Sequence, residues 1–250
     1  MNYLLYYLYL KELKIPQHII SLMTYKFLPI LVFFLSSFTS NKIENSSKTP
    51  SLFISSRENF SAEIISVYNN LHHSNFALPK LESFQKAMIG FYEMKKKGIF
   101  KKDILTLIDF SLSSNEKRLW VIDLSTNTIL FNSLVAHGRN TGDEFAKNFS
   151  NSPKSLKSSL GFYSTGEIYN GKHGKSLKLD GLEKSINDNA RNRGIVIHSA
   201  DYVSDFFIKA NNRLGRSQGC PALPAEFTEK IINTIKGKSC LYIYFPTSNS

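Results

Sequence analysis

The residues best suited to chemistry fall in one segment, IVIHSADYVSDFFIKANNRLGRSQGCPALP, residues 195–224. The apolar run Ile195 to Ile197 ends in His198, which puts an imidazole at the end of a buried strand. Cys220 follows in a Gly-Cys-Pro turn. A thiol is only slightly ionised at neutral pH and needs a neighbouring base or positive charge before it acts as a nucleophile. His198 is that base if strand end and turn meet in space. Gly219 lets backbone approach a substrate closely. The N–H groups of Gly219 and Cys220 are candidates to face a tetrahedral oxyanion, and Pro221 has none to offer. A histidine beside a strand, or a cysteine beside a glycine, also serves purely structural ends. Nucleophile and base need not be neighbours in sequence, so spacing does not separate the two readings. At this level both stay open.

The other candidates are weaker. Cys220 and Cys240 are the only cysteines, and in an oxidising compartment such a pair invites a disulfide. Their settings differ, however. Cys240, in SCLYIYFP, reads as a small buried hydrophobe on a strand, whereas Cys220 sits among glycines and prolines, so two thiols are expected. His137 and His173 lie in the Gly-flanked turns AHGRNTG and GKHGKS, where lining a pocket is a second-rank role. His137, His173, His198 and Cys220 together would be the donors of a zinc-dependent wall peptidase. Their spacing matches no tight ligand signature, so neither metal nor cofactor is expected.

Several elements must position these residues. Ile64, Val67, Tyr68 and Leu71 follow helical spacing, as do Phe84, Met88, Phe91 and Tyr92. Pro79 suits the first turn of the second helix and Gly98 its C-terminal stop. From Leu105 the period changes to two. LTLIDF, RLWVIDL and ILFNSLVA read as strands, the last two joined by a turn around Asn127. A long polar loop covers residues 137–160; such loops in compact domains are functional or mobile. LGFYST, SLKLDG, GIVIHS and SCLYIYFP complete the predicted strands, with helices over Tyr202 to Ala210 and Ala225 to Lys236. The fold class is therefore α+β, mainly β with a short helical lead-in. The expected division is a lead-in at 59–104 and a catalytic domain at 105–246.

The N-terminus speaks to compartment. Lys26, the apolar run FLPILVFFL and the small or hydroxylated SSFTS follow the order of a secretory signal peptide. The apolar core is shorter than the ~20 residues a membrane span needs. Met23 opens this unit, so residues 1–40 read as an N-terminal extension plus a signal at 23–40, followed by a Ser-rich linker at 41–58. Membrane attachment would come only through an uncleaved signal segment. The formal charge of +11 asks for an anionic partner, but the cations form no single dense block. Lys95 to Lys97 and Lys101 to Lys102 flank the helix stop at Gly98, where they complement helix carbonyls. A carboxylate-rich polymer suits a diffuse positive surface as well as nucleic acid does.

The stretches KRLWVIDL, VAHGRNTG, SLGFYSTGEIYNGKHGKSLKLDGLE, NDNARNRGIVIHSADYVS and RLGRSQGCPA resemble the murein L,D-transpeptidase catalytic-domain family. The likeness is closer to its YkuD-like branch written SxGCP, here Ser217-Gln218-Gly219-Cys220-Pro221. It covers roughly residues 60–246. The resemblance implies a β-sandwich-like domain in which Cys220 attacks a peptidoglycan stem peptide, with His198 as base and the Ser199 carbonyl orienting the imidazole. It also implies a thioester resolved by an amine (L,D-transpeptidase) or by water (L,D-carboxypeptidase). Arg216 is a candidate partner for a stem carboxylate, and Ser217 for supporting the turn or touching substrate. The wider family has His where this chain has Gln218, which puts acceptor specificity and inhibitor sensitivity in question. The expectation is an exported periplasmic or envelope monomer acting on stem peptides and not on nucleic acid. A non-catalytic peptidoglycan-binding protein is the alternative.

Overall fold

The computed structural model describes residues 50–246 apart from residue 173, with side chains from residue 59 onward. The expected signal peptide, start-site extension and first part of the linker lie outside the described residues. The chain divides at Phe53/Ile54, and the sheet, the cores and the candidate site all belong to the unit that begins at Ile54.

Among the described residues two helices come first, α1 (Pro50–Asn69) and α2 (Leu81–Lys96). Helix α1 begins at Pro50, inside the stretch read as linker, so residues 50–58 are helical. Ile64 and Leu71 from α1 and its end meet Phe84, Ala87, Met88 and Phe91 of α2 in one buried cluster, as the 3.6-residue period requires. Pro79 is not in the first turn of α2. It precedes the N-cap Lys80, and its carbonyl accepts from the Tyr68 hydroxyl at 2.8 Å. The other end of α2 closes as expected. Gly98 has φ +73°; its N–H donates to Lys95 O at 2.9 Å and that of Ile99 to Met94 O at 3.1 Å. These paired bonds satisfy the last carbonyls of the helix. Gly90, inside α2, gives room to the Phe162 ring, which an added Cβ would meet at 2.0 Å.

Eight strands follow: β1 (Ile104–Asp109), β2 (Leu119–Asp123), β3 (Thr128–Ser133), β4 (Gly161–Gly171), β5 (Gly174–Gly181), β6 (Val196–Ser199), β7 (Ala222–Leu223) and β8 (Cys240–Tyr244). They pair in the order β3-β2-β1-β8-β4-β5-β6-β7. The neighbours β1 and β8, and β6 and β7, run parallel; every other pair is antiparallel. Alternation then sorts side chains between two cores. Leu105, Leu107, Trp120, Ile122 and Cys240 face the cluster with α1 and α2. Ile108, Leu119, Val121, Leu241 and Ile243 face a second cluster, which also takes Leu177, Leu179, Ile197 and Leu223 from the far end of the ladder. One core fed from both ends means the sheet folds over itself, the sandwich-like form expected. Helix α4 (Ala225–Ile235) closes it with Ile231, Ile232 and Ile235.

Several boundaries differ from expectation: β4 and β5 run on toward their connecting turn, and β3 stops at Ser133. The helix foreseen from Tyr202 is α3 (Asp205–Asn211), because Ser204 takes the N-cap and its Oγ accepts from Phe207 N. Strand β7 has only two residues and carries no alternation to read. Asn127, with φ +50°, makes the β2–β3 turn as foreseen. The 137–160 loop holds no named strand, yet His137, Gly138, Thr141, Ser158 and Ser159 are buried within it.

Candidate active site

His198 is the third residue of β6, and it is 5% exposed. In the parallel ladder with β7 it is the register partner of Ala222, two residues beyond Cys220. Strand pairing therefore brings strand end and turn together, and both side chains line one cavity of about 650 Å³. His198 Nδ1 lies 2.8 Å from the Ser199 carbonyl oxygen. A carbonyl only accepts, so Nδ1 carries the proton and Nε2 is the basic nitrogen. Cys220 is a free thiol, half-buried, and Cys240 is a free thiol buried in the core. Cys220 Sγ is 3.7 Å from Gly194 O. Burial pushes this thiol up, while the Val196 backbone and the charges of Arg193 and Lys172 pull it back.

The turn that carries Cys220 is built by Ser217, whose Oγ donates to Cys220 O at 2.7 Å and accepts from Gly219 N at 3.0 Å. This corrects one expectation. The Gly219 N–H is turned inward to Ser217 and does not face an oxyanion, because the short hydroxyl loop satisfies the donor locally. The glycine itself is needed. Its φ is +124°, and a Cβ would lie 2.8 Å from Lys157 O, a conformation and a closeness that only glycine tolerates.

Arg216 lines the cavity, but its Nη1 is engaged. It donates to Arg139 O at 3.2 Å, Gly142 O at 3.1 Å and Asp143 Oδ1 at 2.6 Å. The sequence reading missed Arg193, whose donors reach Ser150 O, Ser159 Oγ, Ser155 Oγ and Lys157 O at 2.5–3.3 Å, stapling the long loop against the cavity. It also missed Arg139, Lys154 and Lys172. With Arg193 and Arg216 these give the cavity five cationic side chains and, among the described residues, no acidic one. The only signal was their basic character, in polar segments spread from residue 139 to residue 216.

His137 does not join this constellation. Nδ1 meets Arg118 Nη2 at 2.9 Å and Nε2 meets Gly142 O at 3.2 Å. Both ring nitrogens are therefore engaged away from Cys220, and this histidine is withdrawn from any ligand set. Residue 173 lies outside the described residues. Among the described residues no group of three or more His, Cys, Asp or Glu side chains is arranged to hold a metal ion.

The sequence profile of the L,D-transpeptidase catalytic domain matches residues 78–244. No curated protein matches the chain. Among solved structures it is similar to an L,D-transpeptidase from Mycobacterium smegmatis, with 10% identity and TM-score 0.35 over 57% of this chain and 59% of that one. It is similar to an L,D-transpeptidase from Stackebrandtia nassauensis, with 14% identity and TM-score 0.35 over 60% and 59%. A third is the helical cell shape determining protein Pgp2 from Campylobacter jejuni, with 16% identity and TM-score 0.39 over 60% and 49%. The chain spans about three-fifths or less of the length of each, and overlaps at these scores decide nothing. The profile match does, because it runs from just before α2 to the last residue of β8 and takes in both His198 and Cys220. This chain belongs to the L,D-transpeptidase catalytic-domain family.

Proposed function

We propose that the chain is an exported L,D-transpeptidase that acts on peptidoglycan stem peptides through a thioester on Cys220. The observation that carries the reading is the shared cavity of Cys220 and His198, with His198 Nδ1 held by Ser199 O. His198 Nε2 takes the Sγ proton as sulfur attacks the carbonyl carbon at an L-centre. The Cys220 N–H is the donor assigned to the resulting oxyanion. Collapse breaks the amide bond, and His198 returns its proton to the departing D-amino acid. An amine of a second stem then attacks the thioester, His198 takes its proton, and the thiolate leaves. Water in the amine's place gives a free carboxylate, the L,D-carboxypeptidase outcome. Because burial disfavours the thiolate, the base acts in step with attack.

Five cations and, among the described residues, no carboxylate line the cavity, Arg216 already holding Asp143, a surplus that suits a substrate rich in carboxylates. Arg216 and Ser217 support the turn first and touch substrate second. Residues 23–40 are assigned to the export signal, the following segment to the linker leading into α1, and 105–246 to the catalytic domain, which works as a monomer in the periplasm or envelope. No helix among the described residues is long and apolar enough to cross a membrane.

Intact-mass analysis after incubation with a carbapenem or a tetrapeptide stem tests this reading. A covalent adduct is expected on the wild type and none on Cys220→Ala. His198→Ala should slow adduct formation by ~10²–10⁴-fold. An adduct that survives loss of Cys220 removes the nucleophile, and wall binding without any adduct would favour a non-catalytic protein.

A further inference from the structure

Arg118, just before β2, is fully buried. Its Nε and Nη2 donate to Val135 O at 3.2 and 3.0 Å, and its Nη1 donates to Leu112 O at 2.8 Å. The guanidinium lies over the Phe110 ring at 4.8 Å, and that ring meets His137 edge-on at 5.8 Å and 86°. Arginine has donors only, so His137 Nδ1, 2.9 Å from Nη2, is an acceptor. The ring proton therefore sits on Nε2, which donates to Gly142 O. His137 is one defined neutral tautomer, clamped at both nitrogens.

The backbone that carries this imidazole also holds the nucleophile turn. Ser217 N donates to His137 O at 2.9 Å, Arg139 N to Ser217 O at 2.8 Å, and Ala136 N to Ala222 O at 2.9 Å. Gly138 N donates to Ser158 Oγ at 3.1 Å, and that hydroxyl donates to Gly219 O at 3.1 Å. Cys220 is thus bracketed by bonds to residues 136–139 on both sides. Gly142 O, the acceptor for His137 Nε2, also takes Arg216 Nη1, which ties the approach to the turn into the same knot. An apolar ring would fill the space at 137. It would leave a buried guanidinium short of an acceptor, a costly state.

We propose that His137 is a positioning residue for acyl transfer: its clamped neutral imidazole, held by Arg118, fixes the strand segment against which the Cys220 turn is registered. The inference rests on the reading of Cys220 as nucleophile. A reacting atom misplaced by about 1 Å loses about 10²-fold in rate, so releasing the clamp acts on the covalent step more than on binding.

The test compares wild type, His137→Leu and His137→Asn in full-length protein, with the carbapenem acylation rate constant and its half-saturation concentration measured separately. Alkylation by iodoacetamide serves as a control for bare thiol reactivity, and thermal unfolding reports folding. Asparagine keeps an acceptor near the Nδ1 position; leucine does not. The expected result is a ~10–100-fold fall in the acylation constant for His137→Leu, with half-saturation and alkylation within about twofold of wild type. His137→Asn should recover most of the loss. Wild-type acylation by a folded His137→Leu overturns the proposal, as does an equal loss in both variants or a loss that alkylation shares. Should His137→Leu fail to fold, Arg118→Lys, which removes the fork that bridges Val135 and His137, must show the same selective loss, and wild-type acylation there overturns it equally. Absence of any adduct on the wild type would instead sink the functional reading beneath it.

Discussion

Acid is the perturbation that the His137 clamp should feel most. The imidazole, ordinarily at 6.5, is pushed down to about 4, first by burial and then by the Arg118 guanidinium, with Arg216 adding a smaller push. The backbone at Gly142 and Asp143 opposes this only in part. Asp109 and Glu116 in turn act on the Arg118 guanidinium, where they offset part of its burial. Between about 6.5 and about 4 the unfolded chain holds a proton on this residue and the folded chain does not. The contribution of His137 to stability is therefore complete above the unfolded value, falls with pH through that window, and levels off below about 4. A difference of about 2.5 pKa units corresponds to ~3 kcal/mol, and ~2–3 kcal/mol is lost between pH 7 and pH 4.5. That is a large part of the ~5–15 kcal/mol that holds a domain together. Carboxylates titrate in the same range, so the informative quantity is the difference between wild type and His137→Asn, which shares every other group. Urea unfolding of both proteins at pH 7 and pH 4.5 measures it. The stability advantage of wild type should shrink by ~2–3 kcal/mol on acidification. Parallel pH dependences would refute this linkage, since they would mean that His137 takes up protons equally in both states.

Two further outcomes test the cavity. Gly138→Ala puts a Cβ within 2.5 Å of Leu156 O and 2.9 Å of Gly219 Cα, both backbone atoms. The Cys220 turn must shift, so carbapenem acylation should fall at least ~10-fold in a protein that still folds; an unchanged rate would show that the close approach is dispensable. Lys172→Ala removes one of the cations acting on Cys220. It should raise KM several-fold for a tetrapeptide with a free terminal carboxylate and leave the C-terminal amide unaffected, whereas equal effects on both would show that Lys172 does not read that charge.

What could be read from the sequence depends on how local each signal is. Strands β1, β2 and β8 were visible because their residues alternate between two buried faces, and α2 because Phe84, Met88 and Phe91 repeat at helical spacing and Gly98 ends them. His198 and Cys220 were visible because each stands at a punctuated end, one closing an apolar run and the other inside a Gly-Cys-Pro turn. The inward turn of the Gly219 N–H was hidden, because Ser217 can accept it or leave it and only the folded loop decides. Arg118 was hidden more deeply. In RLWVIDL it is merely the first residue of a predicted strand, with nothing to mark it as buried, and His137, its partner, stands 19 residues away on the segment that supports the Cys220 turn. The charge was also diluted in one dimension. Arg139 and Lys154 come from the 137–160 loop, Lys172, Arg193 and Arg216 from three other connections, and all five line one cavity. A surplus that reads as diffuse along the chain is thus concentrated in space where Cys220 sits. Of the five cations, Arg193 and Lys172 offset part of the burial that pushes the Cys220 thiol up, and on the proposed reading the whole set would meet the carboxylates of a stem peptide.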